Sequence, residues 1–359
     1  MTSETLDRLK PKGAQLTHRG LVGQAGRGAL FPSKLRRDEA VTGMPVAHIA
    51  GFSMLVQAAA LGVPVYLLRK FRPDTALDAI EQRKATVFIG VPAMYRMMDE
   101  AGAETRDLSS VRLWASGADA MPFELAKRFQ RMGASATLPV IGKSVGEAVF
   151  VDGYGMVELA GGVAVKVMPP LLPLRGAVAI PLPGFKMKVV DDAGCEVAGG
   201  TVGELVVKGP GVMRGYHGKR EATDEALTTD GWLRTGDLAR RRRLGLLELA
   251  GRKKDVIKHG GYSVFAVEVE AALGLHPAVA EAAVVGLPDE RKGEVPVAAV
   301  ILRDGHTLTE AELVAWADER LSDYKVPRRV LFVSELPRTG TDKVQKAELK
   351  KQFAADGVT

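Results

Sequence analysis

The sequence predicts an α/β protein, and three observations carry that expectation. Between about Gly43 and Leu113, short and continuously apolar runs alternate with runs of helical period. Between about Leu174 and Leu249 the pattern shortens to strand-type runs separated by Gly, Pro and Asp. After Gly251, helical and extended patterns mix again to the end of the chain.

Taken in order, VPVYLL (63–68) reads as a strand, ALDAIEQRKA (76–85) as a helix and TVFIGV (86–91) as a strand. AMYRMMDEAG (93–102) then reads as a helix and VRLWAS (111–116) as a strand. Strands apolar on both faces, separated by helices, belong to a parallel sheet covered on both sides. Ligands of such sheets gather at the C-terminal ends of the strands, here the turns Gly90-Val91-Pro92 and Ser116-Gly117-Ala118-Asp119. In the middle region FKMKVVDDAGCEV (185–197) reads as a hairpin about Asp191 to Gly194, and GELVVKGPGVMRGY (203–216) adds a strand and turn. Such short strands without helices suggest a small antiparallel barrel or a distorted sheet. The last region runs helix VEVEAALGLH, strand VAEAAVVGLP, strand EVPVAAVILR, helix TEAELVAWADERL and strand RRVLFVSEL, a compact α+β module.

Composition narrows the function classes. The 359 residues carry 49 Lys and Arg against 43 Asp and Glu, a net charge of +6, too dilute to mark a nucleic-acid binder. Cys195 stands alone, which excludes an intrachain disulfide and a Cys-rich metal site and fits a reducing, cytoplasmic compartment. The opening MTSETLDRLKPKG has no apolar stretch of a secretory signal. Ile49 to Leu68 carries no formal charge and is long enough to span a bilayer, but Gly62-Val63-Pro64 breaks it into an Ala-rich helix and a strand. No transmembrane span is expected. The basic run Arg240 to Arg243 lacks interleaved aromatics and reads as a solvated hairpin, with anionic ligands or a membrane surface as the alternatives.

Four segments carry chemistry. GYGMVE (153–158) follows the apolar strand AVFVD; its tyrosine suits a stacked base and Glu158 a divalent ion, while a turn with a buried tyrosine is the plain alternative. GWLRTGDL (231–238) places Asp237 after Thr-Gly, where a carboxylate accepts two bonds from a ribose diol or simply stabilises a turn. GRKKDVIKHGGYSVFAVEVE (251–270) sets cations ahead of a Gly260-Gly261 pair, suited to phosphate or ribose contact at a junction between domains. LPRTGTDKVQKAELKK (336–351) places Lys343 after a turn and before a charged helix, which by itself is a surface position.

In this order and with these separations, the four segments resemble the adenylate-forming superfamily of acyl-CoA synthetases, luciferases and peptide-synthetase adenylation domains. KPKGAQLTHRGL (10–21), MPVAHIAGF (44–52), GVPAMYRMM (90–98), WASGADAMP (114–122) and DYKVPRRVLFVSELPRT (323–339) are similar to further family segments, with wording nearest to fatty-acid–CoA ligases. The resemblance implies a partial adenylation domain at 1–172, its β-rich subdomain at 173–250 and a mobile C-terminal domain at 251–359. It also implies two steps with ATP, Mg²⁺ and coenzyme A as co-substrates: a fatty acid or other apolar carboxylate is adenylated, then passed to the CoA thiol. By motif position, Ser116, Gly117, Ala118, Gly153 and Tyr154 would hold the adenine, Glu158 the metal, Asp237 the ribose and Arg252 the ribose or phosphate. Lys254 would be the hinge. Lys343 would contact the attacking carboxylate and the α-phosphate, and Lys258 with Gly260 and Gly261 would serve the CoA path. His48 and Gly51, with the rest of the Ile49–Leu61 helix, would border the acyl chain.

The sequence also departs from the family pattern. The family's Ser/Thr/Gly phosphate loop is reduced to Thr2, Ser3 and Thr5, with Glu4 and Asp7 repelling phosphate charge. Val157 stands where many relatives have Thr, and Asp342 where a Gly usually precedes the mobile lysine. The family's N-terminal subdomain has no counterpart, so the chain reads as N-terminally truncated. Two readings follow: an AMP-forming fatty-acid–CoA ligase by lineage, or a non-catalytic remnant or partner-dependent protein that binds acyl or nucleotide ligands. An uncovered sheet edge would favour a protein partner or self-association, and an apolar pocket mouth allows peripheral membrane contact without an anchor.

Overall fold

The computed structural model describes residues 12–23, 38–118, 121–137, 144–168, 178–242, 246–338 and 344–355. Two compact units emerge. The first comprises Met1–Lys188, Val206–Thr235 and Arg242–Glu248; the second comprises Val189–Leu205, Gly236–Arg241 and Leu249–Thr359.

In the first unit a short helix α1 (His18–Val22) precedes β1 (Ala40–Thr42), α2 (Ile49–Leu61), β2 (Val65–Leu67) and α3 (Pro73–Arg83). Then follow β3 (Val87–Gly90), α4 (Pro92–Glu100), β4 (Leu113–Gly117) and α5 (Phe123–Met132). The pair β5 (Ala136–Thr137) and β6 (Ser144–Val145) leads to β7 (Val149–Met156), β8 (Gly161–Met168) and β9 (Val178–Pro181). Strands β2, β1, β3, β4 and β7 lie side by side and parallel, as the apolar runs predict. β8 and β9 continue the sheet antiparallel. The uncharged stretch resolves into a helix and a strand: His48 caps α2 through Nδ1, which accepts from Ala50 N–H at 3.3 Å, and Gly62 ends it at φ +66°. Among the described residues no helix is long and apolar enough to cross a membrane.

The core of this unit is aromatic. Tyr95 on α4 lies 5.3 Å from Phe88 and 4.9 Å from Phe129, and Trp114 on β4 lies 5.0 Å from Phe129, mostly edge to face. Tyr95 satisfies its buried hydroxyl by donating to the Ala115 carbonyl at 2.8 Å. This packing holds the ends of β4 and β7 in place, and those ends carry the predicted site.

The β-rich stretch supplies β10 (Lys186–Val190), β11 (Val202–Lys208), α6 (Arg220–Ala226), β12 (Leu233–Arg241) and β13 (Leu247–Arg252). These four strands do not close separately. They extend the large sheet in the order β9-β13-β12-β11-β10. The expected hairpin turn forms at Asp191 to Gly194, where Asp191 Oδ1 accepts from the N–H of the exposed Cys195 at 2.8 Å.

In the second unit β14 (Val256–His259) and β15 (Tyr262–Phe265) form a hairpin about Gly260-Gly261, leading into α7 (Ala266–Leu273). β16 (Val279–Asp289) and β17 (Gly293–Leu302) pair antiparallel over their length, and β18 (Arg329–Phe332) adds to β17 in parallel. Alternation along β17 gives the sheet two buried faces. Ala298 and Val300 pack with Val269 of α7 and Leu313 of α8 (Glu310–Asp318), while Val297 and Ala299 pack with Leu349 and Phe353 of α9 (Lys346–Ala355). Thr309 and Glu312 form a reciprocal capping box at the start of α8.

Candidate functional site

In the first unit, the parallel register sets Ser116 beside Asp152 and Gly117 beside Gly153 at the ends of β4 and β7. A Cβ on Gly117 would come within 3.2 Å of the Gly153 carbonyl oxygen, so the glycine permits this close approach. Ala118 follows at φ +71°, a left-handed conformation that costs a non-glycine residue energy and is common at ligand sites. The Ser116 hydroxyl is buried and has no hydrogen-bond partner among the described residues. An orphaned donor beside two glycines at the strand ends fits a polar ligand such as a nucleotide base.

Beyond Tyr154, β7 ends in a single helical turn, Val157–Leu159, that presents Glu158. One carboxylate oxygen of Glu158 accepts from the Tyr216 hydroxyl at 2.8 Å. Burial, and then that carboxylate, raise the Tyr216 pKa well above its ordinary value, so the hydroxyl stays a donor. Helix α2 reaches the same turn, since Ser53 donates to the Ala160 carbonyl at 3.3 Å. This places the helix that bears Gly51, and that His48 caps, against the turn that bears Glu158. Gly51 is dictated by packing, because a Cβ there would fall on the Pro45 carbonyl oxygen. Among the described residues no three His, Cys, Asp or Glu side chains gather as a metal cage. A lone carboxylate is the donor set expected for Mg²⁺ that takes its other ligands from phosphate and water.

In the second unit, Arg252 at the end of β13 places Nε 3.0 Å from Asp237 Oδ1 on β12. Next to them, Lys253 Nζ lies 2.7 Å from Asp192 and 3.3 Å from Glu204, and these partners raise the Lys253 pKa. Glu204 is buried, and its other oxygen accepts from Gly236 N–H at 3.3 Å. Gly236, Arg252, Lys253 and Lys254 line an open cleft of about 330 Å³. The structure thus brings the predicted Asp237, Arg252 and Lys254 together. It adds Glu204, Asp192 and, in the other unit, Tyr216, none of which sequence reasoning singled out.

Lys258 lies on β14, where its ammonium donates to Ser263 at 3.0 Å and its N–H donates to Glu294 at 2.8 Å. Gly260 and Gly261 form the hairpin tip at φ +56° and +84°, with no atom near where a Cβ would sit. Lys343, Asp342 and the degenerate phosphate loop before Lys12 lie outside the described residues.

Residues 10–217 match the profile of the family described as AMP-binding enzyme, and residues 268–343 that of the AMP-binding enzyme C-terminal domain. The chain is 37% identical over 347 residues to feruloyl-CoA synthase of Amycolatopsis sp, covering 96% of this chain and 67% of that protein. It is 34% identical over 352 residues to long-chain-fatty-acid–CoA ligase of Bacillus subtilis, covering 95% of this chain and 59% of that one. Among solved structures, ATP-bound MatB from Rhodopseudomonas palustris is similar with a TM-score of 0.83 at 29% identity, covering 97% of this chain and 66% of that chain. The chain therefore spans about two thirds or less of the length of these three proteins.

Proposed function

The chain belongs to the AMP-binding enzyme family, and from that premise we propose that it is an AMP-forming acyl-CoA ligase acting on an apolar carboxylate such as a fatty acid. A carboxylate oxygen attacks the α-phosphorus of ATP, releasing pyrophosphate; the CoA thiolate then attacks the acyl carbon and AMP leaves. The observation that carries this reading is the Asp237–Arg252 pair at 3.0 Å, a carboxylate acceptor for a ribose diol next to a cation for phosphate. The Ser116 hydroxyl, unpartnered among the described residues, supports an adenine at the ends of β4 and β7, with Gly117, Ala118, Gly153 and Tyr154 around it. Glu158 would hold Mg²⁺, which supplies charge neutralisation to the phosphates.

Lys343 contacts the attacking carboxylate and α-phosphate in this reading, and Lys254 is the hinge between 1–250 and a mobile 251–359. Lys258, Gly260 and Gly261 border the CoA path. The uncharged helix α2 supports an apolar acyl pocket, and the Bacillus relative named for long-chain fatty acids supports that substrate class. The proposed co-substrates and the single cysteine support a cytoplasmic location.

A second reading, nucleotide binding without turnover, is favoured by Glu4 and Asp7 in the loop segment and by Val157 beside Glu158. Calorimetry with AMP, together with ATP–pyrophosphate exchange over fatty and aromatic acids, separates the two. Carboxylate-dependent exchange, highest with fatty acids, is the result expected for the ligase. AMP binding with no exchange for any acid selects the second reading, and absence of AMP binding defeats both.

A further inference from the structure

The segment from Val212 to His217 does more than join β11 to α6. Met213 donates its N–H to the Glu158 carbonyl at 2.8 Å, while Arg214 and His217 donate to the carbonyls of Gln15 and Gly13 at 2.9 and 2.8 Å. Gln15 returns a bond to the Gly215 carbonyl at 2.9 Å. One strap therefore holds two separate pieces of backbone: the stretch Gly13–Gln15 and the turn that presents Glu158.

Tyr216 repeats that bridge with its side chain. Its hydroxyl donates to Glu158 Oε1 at 2.8 Å, and Lys12 Nζ sits 5.0 Å from its ring centroid. Its own backbone is fixed, because Tyr216 N–H donates to Thr223 Oγ1 at 2.9 Å. A donor that holds one oxygen of a carboxylate restricts its rotamers and directs the other oxygen, as groups behind metal ligands commonly do. An aromatic face attracts a cation through its quadrupole. Both effects meet on this one ring.

We propose that Tyr216 is a positioning residue that orients the Glu158 carboxylate toward a nucleotide-bound divalent cation and holds the Lys12 ammonium over its ring face. This rests on the reading of Glu158 as the metal-bearing residue of a nucleotide site. Tyr216 need not touch nucleotide or metal itself. Its contribution is to remove the freedom of two charged side chains, Glu158 and Lys12.

The test is calorimetry with MgATP, with ATP in excess EDTA, and with AMP, on wild type and Tyr216→Phe, with thermal unfolding as a check of folding. Loss of the hydroxyl should weaken MgATP binding roughly tenfold or more, the usual effect of removing a group behind a metal ligand. AMP and metal-free ATP should weaken far less, so that the gain in ATP affinity expected from Mg²⁺ in wild type should shrink in the variant. In a Glu158→Gln background, Tyr216→Phe should cause no further loss of MgATP affinity. Equal losses for MgATP and AMP, no loss for either, or full additivity with Glu158→Gln would overturn the assignment while leaving the nucleotide site standing. A wild type that binds none of the three ligands overturns the site and the assignment together.

Discussion

Ser116 buries a hydroxyl that finds no partner among the described residues, an arrangement that costs about 1–3 kcal/mol. Substituting Ala removes the orphaned group and keeps the volume nearly the same. Ser116→Ala should therefore raise the unfolding midpoint while weakening AMP binding, read by thermal denaturation and calorimetry on the same samples. A lower midpoint with unchanged AMP affinity would mean that the hydroxyl supports the fold and not the ligand. Asp237 and Arg252 were legible in the sequence because Thr-Gly-Asp and Gly-Arg-Lys-Lys are distinctive strings. Glu204 was not. In a strand it reads as an ordinary solvent-facing position, and its partners Gly236 and Lys253 are 32 and 49 residues away. Tyr216 was quoted only as the last letter of a motif, since nothing local tells that its hydroxyl reaches a residue 58 positions earlier.

At the scale of elements, the connection between α4 and β4 shows how charge fixes a turn. Arg106 binds both Asp78 and Glu81 of α3, and Asp107 is held at about 2 by Lys84, with further bonds from Ser109. Because its folded pKa lies below the ordinary value of 3.8, Asp107 contributes stability above that pH and loses it as the pH falls toward about 2. The side chain is 52% exposed, so solvent screening limits the effect to at most about 1 kcal/mol. Asp107→Asn should therefore lower stability in urea at pH 6, and the gap from wild type should close by about pH 2. A gap constant over that range would dismiss the ion pair as its cause. The parallel strands were legible because runs apolar on both faces occur in few other settings. Hairpin β14–β15 was not, since strands of four residues bearing Lys258 and His259 look like a loop leading into α7. Nor could alternation along β10 to β13 reveal that they extend the large sheet, because period two names a strand and not its neighbours.

At the scale of the whole molecule, the proposed reaction assigns its two demands, nucleotide binding and charge stabilisation, to different residues. Lys343 belongs to the second. A cation aimed at charge that develops only during attack contributes about 10²–10³ in rate and little to ground-state binding. Lys343→Ala should therefore slow pyrophosphate exchange about 10²–10³-fold while AMP affinity changes little. Exchange undiminished by the substitution would remove Lys343 from the reaction. The family assignment was legible because collinear motifs span nearly the whole chain, whereas the acyl substrate is not written in any one of them. An uncharged α2 indicates an apolar pocket without fixing its depth.

The turn at Asp191 to Gly194 has a practical consequence. Cys195 is the single cysteine of the chain and is exposed. A maleimide dye will therefore attach once per molecule, within the second unit, with no background thiols to remove. Adding one further cysteine on α8, on the far side of the proposed hinge at Lys254, gives a two-colour pair whose energy transfer reports, molecule by molecule, whether nucleotide and CoA move 251–359 relative to 1–250.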